Sequence, residues 1–188
     1  MRMRNLVHKL KDPRPTARAM AARELGELGY ISEEALLGEE DAWVRLAAAK
    51  ALMRHGGCPE ALEELLALTK HSKSWVRCGA LQALVEIGKP TSEVVKALLE
   101  ALGDEDVGVR ANAVGALGSL KVSSPEVVQA LTMALRTDRD AVKMHAANEV
   151  VEALVATLGS PTWWVREQAA KALGKVGARA KKAIERVR

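Results

Sequence analysis

The sequence predicts an all-α repeat protein, an α-solenoid of stacked helix pairs, and three observations carry that prediction. Three segments repeat one phrase almost letter for letter: EVVKALLEALGD at 93–104, EVVQALTMALRT at 126–137 and EVVEALVATLGS at 149–160. A second phrase, in forms such as VRLAAAKAL and VRCGALQAL, recurs along the chain, and its basic residue falls at Arg18, Arg45, Arg77, Arg110, Lys143 and Arg166. Composition agrees, since 32 alanines and 24 leucines in 188 residues favour helix, while the absence of phenylalanine leaves little for a β-sandwich core. Self-similarity at a period of about 20–50 residues marks an array of stacked supersecondary units. The basic residues lie 27, 32, 33, 33 and 23 positions apart. That spacing divides a single domain, 1–188, into six units of about 1–29, 30–56, 57–89, 90–122, 123–148 and 149–188.

Each unit reads as two helices. In the first, Val94, Val95, Leu98, Leu99 and Leu102 recur at helical spacing and form one broad apolar stripe. A short polar turn follows. Asp41, Asp106 and Thr162 stand four residues before their basic residue, with Asp140 close to the same place, and each offers an oxygen to the free N–H groups that open the second helix. In the first unit Arg14 holds that place, and Pro15 after it suits the first helical position. The second helices carry the small pairs Ala21-Ala22, Ala48-Ala49, Ala146-Ala147 and Ala169-Ala170, which permit close backbone approach. Gly29, Gly56, Gly88 and Gly177 are placed to close them as left-handed caps.

The phrase LGDEDVGVRANAVGALGSL, and LGEEDAWVRLAAAKAL still more closely, resembles the HEAT-like repeat of the phycobilisome-lyase type, over roughly residues 5–177. The resemblance implies a right-handed superhelix of about six antiparallel helix pairs, with the second helices lining the concave side. One pair cannot bury its stripe alone, so stacked neighbours must share a continuous core. Such layers are thin, and Ala, Leu and Val fill them without phenylalanine.

Two units depart from the pattern. The second has only SEEALL, at 32–37, for its first helix. The fifth lacks ten residues that the fourth has between Val114 and Glu126, and Lys143 to Leu158 contains neither Gly nor Pro. Its second helix is therefore expected to run into the next first helix as one rod, breaking the superhelix and redirecting the last unit as an angled cap or a swapped element.

The net charge of +4 divides unevenly along the repeats. Residues 1–23 carry +6 and residues 178–188 carry +4, which leaves −6 for residues 24–177. Balanced charge and 48% hydrophobic content argue against disorder. There is no apolar run near the roughly 20 residues of a membrane helix and no secretory h-region. With only Cys58 and Cys78 as thiols, the expectation is a cytoplasmic protein with no membrane segment.

The regular basic series suits a phosphate ladder in principle. The family pattern implies instead that each member pairs with turn acids such as Asp12, Glu39 and Asp104, at roughly 0.2–1 kcal/mol for an exposed pair. The tryptophans are more informative. Trp43, Trp75 and Trp164 directly precede the motif valine and Trp163 lies beside them, whereas Thr16, Gly108 and Ala141 hold the equivalent places. A packing position would be filled alike in every unit, and this one varies. In the resembled repeats it lies at the edge of the concave surface, where aromatic side chains act as anchors; packing on neighbouring turns is the competing account. Lys50, Gln82, Asn112, His145, Gln168 and Lys171 extend the set along the second helices, with Leu46, Ala47, Cys78 and Gly79 between them. This mixed ribbon suits a protein partner better than a nucleic acid, which asks for a densely basic groove.

Catalytic and metal signals are weak. His55, Cys58, His71 and Cys78 do not converge as four zinc ligands must, and no G-x-S-x-G, H-E-x-x-H or phosphate-loop motif occurs. The adjacent His-Glu dyads of deoxyhypusine hydroxylases are absent. Nothing singles out a pigment site as in phycobilin lyases, and the ribbon lacks the cations of HEAT-like DNA glycosylases. The expectation is thus a non-catalytic scaffold, without cofactor or metal, that binds a protein partner or a second copy of itself through the second helices, by homodimerisation or a helix swap. The alternative is nucleic-acid binding by the basic termini.

Overall fold

The computed structural model describes residues 2–30, 40–54, 58–120, 124–137, 151, 154, 155 and 157–176. These form helices and turns, with no strand among the described residues. The chain divides into two compact units, Met1–Gly88 and Lys89–Arg188.

The first unit holds α1 (Arg2–Lys9), α2 (Pro15–Glu27), α3 (Ala42–Arg54), α4 (Pro59–Leu68) and α5 (Ser74–Ile87). Helix α2 packs on α1 and α3, and α3, α4 and α5 pack on one another. Leu25, Val44, Leu65, Leu68, Val76, Leu81 and Leu84 make the large part of the core, and Ala21, Ala22, Ala48, Ala49 and Ala80 the small part. Alanine lets these helices approach closely, so a layer one side chain deep is filled without a ring. The second unit holds α6 (Ser92–Ala101), α7 (Val107–Ser119), α8 (Pro125–Thr137) and α9 (Trp163–Val176), with α6 on α7 and α8 on α9. Val94, Leu98, Val109, Leu117, Leu131, Leu154 and Leu173 are buried there. Along α6 the expected stripe narrows: Val94 and Leu98 are buried, while Val95, Leu99 and Leu102 are half-buried. Ala169 is buried but Ala170 is exposed, so the small pair of α9 uses one member only.

The helix boundaries follow the expected chemistry. The Asp41 carboxylate accepts from the Trp43 N–H at 2.8 Å, and that of Asp106 accepts from Gly108 and Val109 at 2.8 and 3.2 Å. Arg14 precedes Pro15 at the start of α2 without a side-chain cap, and Lys73 does the same for α5. Gly29 and Gly88 adopt φ of 72° and 68°, where a Cβ would be strained. At Gly29 the closure is a Schellman motif, in which its N–H donates to Gly26 O and that of Tyr30 to Leu25 O, both at 2.9 Å.

The basic series has a duty beyond acid pairing. Acids are expected beside these arginines, and Arg45 has one in Glu64; the guanidinium groups also reach backbone carbonyls of the turn that precedes their helix. Arg18 Nη1 donates to Asp12 O and Pro13 O at 2.8 and 3.1 Å, and Arg77 Nη1 to His71 O and Ser72 O at 2.8 and 3.0 Å. Arg110 Nη1 reaches Asp104 O and Glu105 O, and Arg166 Nη1 reaches Ser160 O and Pro161 O, at 2.7–3.0 Å. Arg45 Nη1 donates to Glu40 O at 2.9 Å, and its Nε to Glu64 of α4 at 2.8 Å. The physical reason is reach: an arginine in the first turn of a helix folds back over the turn just before it, whose carbonyls belong to no helix and need donors. Arg77 is only 7% exposed. A buried charge-assisted bond is worth about 1.5–3 kcal/mol, more than the exposed pairs assumed from sequence.

Several expectations fall outside the described residues. They are the short helix at 32–37, the pairing acid Glu39, the cap Asp140, most of the rod from Lys143 to Leu158 with His145 and any swap it implies, Gly56, Gly177 and the basic stretch 178–188. No helix among the described residues is long and apolar enough to cross a membrane.

Candidate functional site

The site begins with a register. Counting from the variable position before the motif valine, helix α3 places Trp43, Leu46, Ala47, Lys50 and Arg54 at steps of 0, 3, 4, 7 and 11 residues, all on one face. Helix α5 repeats the same steps with Trp75, Cys78, Gly79, Gln82 and Glu86. Helix α2 does so from Thr16, which puts Arg23 and Glu27 at steps 7 and 11. These three second helices together line a cleft of about 780 Å³ in the first unit.

Two close approaches bring the faces together. A Cβ on Gly26 of α2 would collide with Ala51 of α3, and one on Gly79 of α5 would meet Leu46 of α3. At the N-terminal end of the cleft the Trp43 and Trp75 rings pack at a centroid distance of 5.5 Å, tilted by 59°. Lys73 Nζ lies 5.9 Å from the Trp75 ring, within reach of a cation–π contact. Both rings remain about half exposed, at 48% and 46%.

The C-terminal end is charged. Lys50 Nζ and Arg54 Nη2 converge on the Glu86 carboxylate, at 3.0 Å to Oε1 and 2.7 Å to Oε2. Arg23 pairs with Glu27 at 3.6 Å. Partial burial alone would raise the Glu86 carboxyl. The hydrogen bonds from Lys50 and Arg54, with the attraction of both charges, outweigh it and hold that carboxyl below its ordinary value.

The candidate residues named from sequence are thus sorted by the structure. Trp43, Trp75, Lys50 and Gln82 share this one cleft. The others belong to the second unit. Trp163 and Trp164 are exposed at the start of α9, Gln168 is exposed along it, and Lys171 pairs with Glu167 at 2.6 Å. Asn112 is turned to its own helix, its Nδ2 donating to Gly108 O at 2.9 Å. Arg23, Glu27, Arg54 and Glu86 were missed. Their signal is present in the sequence, because each stands 7 or 11 residues after the variable position of its unit, one turn beyond the ribbon or in the first unit.

Among the described residues no group of three His, Cys, Asp or Glu is placed to hold a metal ion. Cys58 and Cys78 are not joined in a disulfide, and Cys78 lies on the cleft wall.

Comparison with known proteins agrees with the architecture. A family model for HEAT repeats matches residues 32–92 and 68–150, and another for the HEAT repeat matches 150–179. Among solved structures, an engineered protein is 23% identical with a TM-score of 0.62, covering 98% of this chain and 96% of that one. A designed armadillo repeat protein is 18% identical with a TM-score of 0.60, covering 97% and 98%. The complex of CpcE and CpcF of phycocyanin lyase from Nostoc sp. PCC7120 is 21% identical with a TM-score of 0.55, covering 93% and 77%. At such identities the likeness is one of fold. No curated protein matches the sequence.

Proposed function

Because this chain belongs to the HEAT-repeat family and has the all-α solenoid fold of such repeats, we propose that it is a non-catalytic scaffold that binds a protein partner at the cleft of α2, α3 and α5. The observation that carries this reading is the Trp43–Trp75 pair, left half exposed above a floor of Leu46, Ala47, Ala51 and Gly79. Tryptophan in a desolvated pocket is the residue most enriched among interface hot spots, where truncation costs about 2 kcal/mol or more. An apolar floor with a charged rim also matches the anatomy of a protein interface.

The nucleic-acid alternative has less support. Of the seven basic residues in 1–23, Arg2, Arg14 and Arg23 pair with Glu24, Asp12 and Glu27, and Arg18 is spent on carbonyls. Capture experiments decide between the two. The double variant Trp43→Ala/Trp75→Ala should lose the proteins that the wild-type chain retains from a lysate of its source. Retention should also survive 0.5 M salt, whereas a phosphate-dominated contact weakens steeply. Unchanged capture by the double variant would refute the cleft as the docking site.

A further inference from the structure

We propose that the cleft of α2, α3 and α5 takes a short acidic peptide. In this arrangement a bulky apolar side chain seats at the Trp43–Trp75 end, and a carboxylate about 10–16 Å further on pairs with Lys50 and Arg54, at the helical rise of about 1.5 Å per residue. The inference rests on the reading of the cleft as a protein-docking site and names what that site selects.

Charge is the first argument. Two cations, Lys50 and Arg54, end on the single carboxylate of Glu86, while Arg23 and Glu27 cancel. The cleft therefore holds one positive charge in excess. Lys50 is the most sheltered of the three, with 26% of its side chain exposed against 40% for Glu86 and 52% for Arg54. A half-buried excess charge is poorly screened, and a second carboxylate would neutralise it. Residues 24–177 carry −6 in all, which by itself favours a basic ligand. A preference for acid would thus report the local cation pair and not the field of the whole chain.

Dimensions are the second. The aromatic and cationic ends are separated by 7 residues from Trp43 to Lys50 and 11 from Trp43 to Arg54. An extended peptide advances about 3.3 Å per residue, so three to five residues join an apolar anchor to its acid. A volume of about 780 Å³ lies within the range of clefts that enclose ligands of that size. Between the ends the floor is made of Leu46, Ala47, Cys78 and Gly79, small enough to let a peptide backbone lie flat.

The test is selection of a displayed library of random dodecapeptides on the full chain, followed by titration of a synthetic consensus peptide. Enriched peptides should combine an aromatic residue or leucine with Asp or Glu three to five residues away. The consensus should bind about three- to tenfold more tightly to Glu86→Gln, which frees both cations, and weaken by a similar factor on Lys50→Gln. A gain of affinity cannot come from a misfolded variant. Equal affinity in wild type, Glu86→Gln and Lys50→Gln would overturn the inference. Enriched peptides that need Trp43 and Trp75 but carry no acid would also overturn it, while leaving the docking reading intact. No enrichment, or enrichment that survives Trp43→Ala/Trp75→Ala, would overturn both.

Discussion

Gly26 of α2 and Ala51 of α3 meet so closely that a Cβ on Gly26 would overlap the Ala51 methyl group and lie 3.0 Å from the Ala51 Cα. The obstacle is the Ala51 Cβ with its Cα behind it, and neither can rotate away. Alanine in place of a helical glycine gains about 1 kcal/mol of propensity, whereas overpacking costs about 1–3 kcal/mol. Gly26→Ala is therefore expected to destabilise the chain, read as a lower urea midpoint. Gly79→Ala meets only the end of the flexible Leu46 side chain and should stay within about 1 kcal/mol of wild type. A Gly26→Ala variant as stable as wild type would show that the two helices stand further apart.

Arg77 should matter more to stability than its position in a surface repeat suggests. Its Nη1 satisfies two turn carbonyls from a buried position, so Arg77→Ala is expected to cost about 2–3 kcal/mol in denaturant unfolding. Arg77→Lys should recover only part of that, because an ammonium lacks the planar fork of the guanidinium. An Arg77→Ala loss below about 0.5 kcal/mol would mean that water replaces the bonds freely.

The tryptophan pair should show a measurable coupling. A double-mutant cycle on Trp43→Ala and Trp75→Ala is expected to give about 0.5–1.5 kcal/mol of interaction energy, the range of tilted aromatic pairs. Near-UV circular dichroism should change in both single variants. Strict additivity would mean that the rings do not pack in solution.

Asp12 and Glu86 are two of the carboxylates that shape the acid limb of stability, beside Glu93 and Glu126. Each has a folded pKa below its ordinary value, so the stability it contributes is complete above the ordinary value and is lost as pH falls through the folded one. Asp12 is held at about 2 by the Arg14 side chain, then by the Arg14 backbone N–H. The melting difference between wild type and Asp12→Asn should therefore persist below pH 3.8 and vanish only as pH approaches about 2. For Glu86→Gln the difference should shrink as pH falls below the ordinary 4.5. A difference that grows on acidification would contradict both assignments.

Much of this was legible in the residues. The period of the basic residue gave the helix pairs, and Asp41, Asp106, Gly29 and Gly88 marked their ends, because caps are local chemistry and the sequence states them directly. Trp43, Trp75, Lys50 and Gln82 were found as one ribbon by comparing repeats with one another. What was not legible depended on neighbours. That Arg77 reaches the carbonyls of His71 and Ser72 is decided by the fold-back of the turn. The sharing of Glu86 by Lys50 and Arg54 depends on how α3 and α5 align. Asn112 shares its register with Ala47 and Gly79 but bonds within its own helix, because its amide reaches the carbonyl four residues back, on Gly108, as a nearer partner.

The arginine fasteners have a consequence for how such a chain changes in length. Asp12-Pro13, His71-Ser72, Asp104-Glu105 and Ser160-Pro161 have no side chain common to all four, yet each pair is bonded in the same way by the arginine of its unit. What is read is the carbonyl, the one acceptor that all residues carry. Each of these four copies thus brings its own latch and tolerates different residues at the joint. Duplication or loss of a whole copy needs no compensating change in the turns on either side, and the identity of those turns is left free to drift.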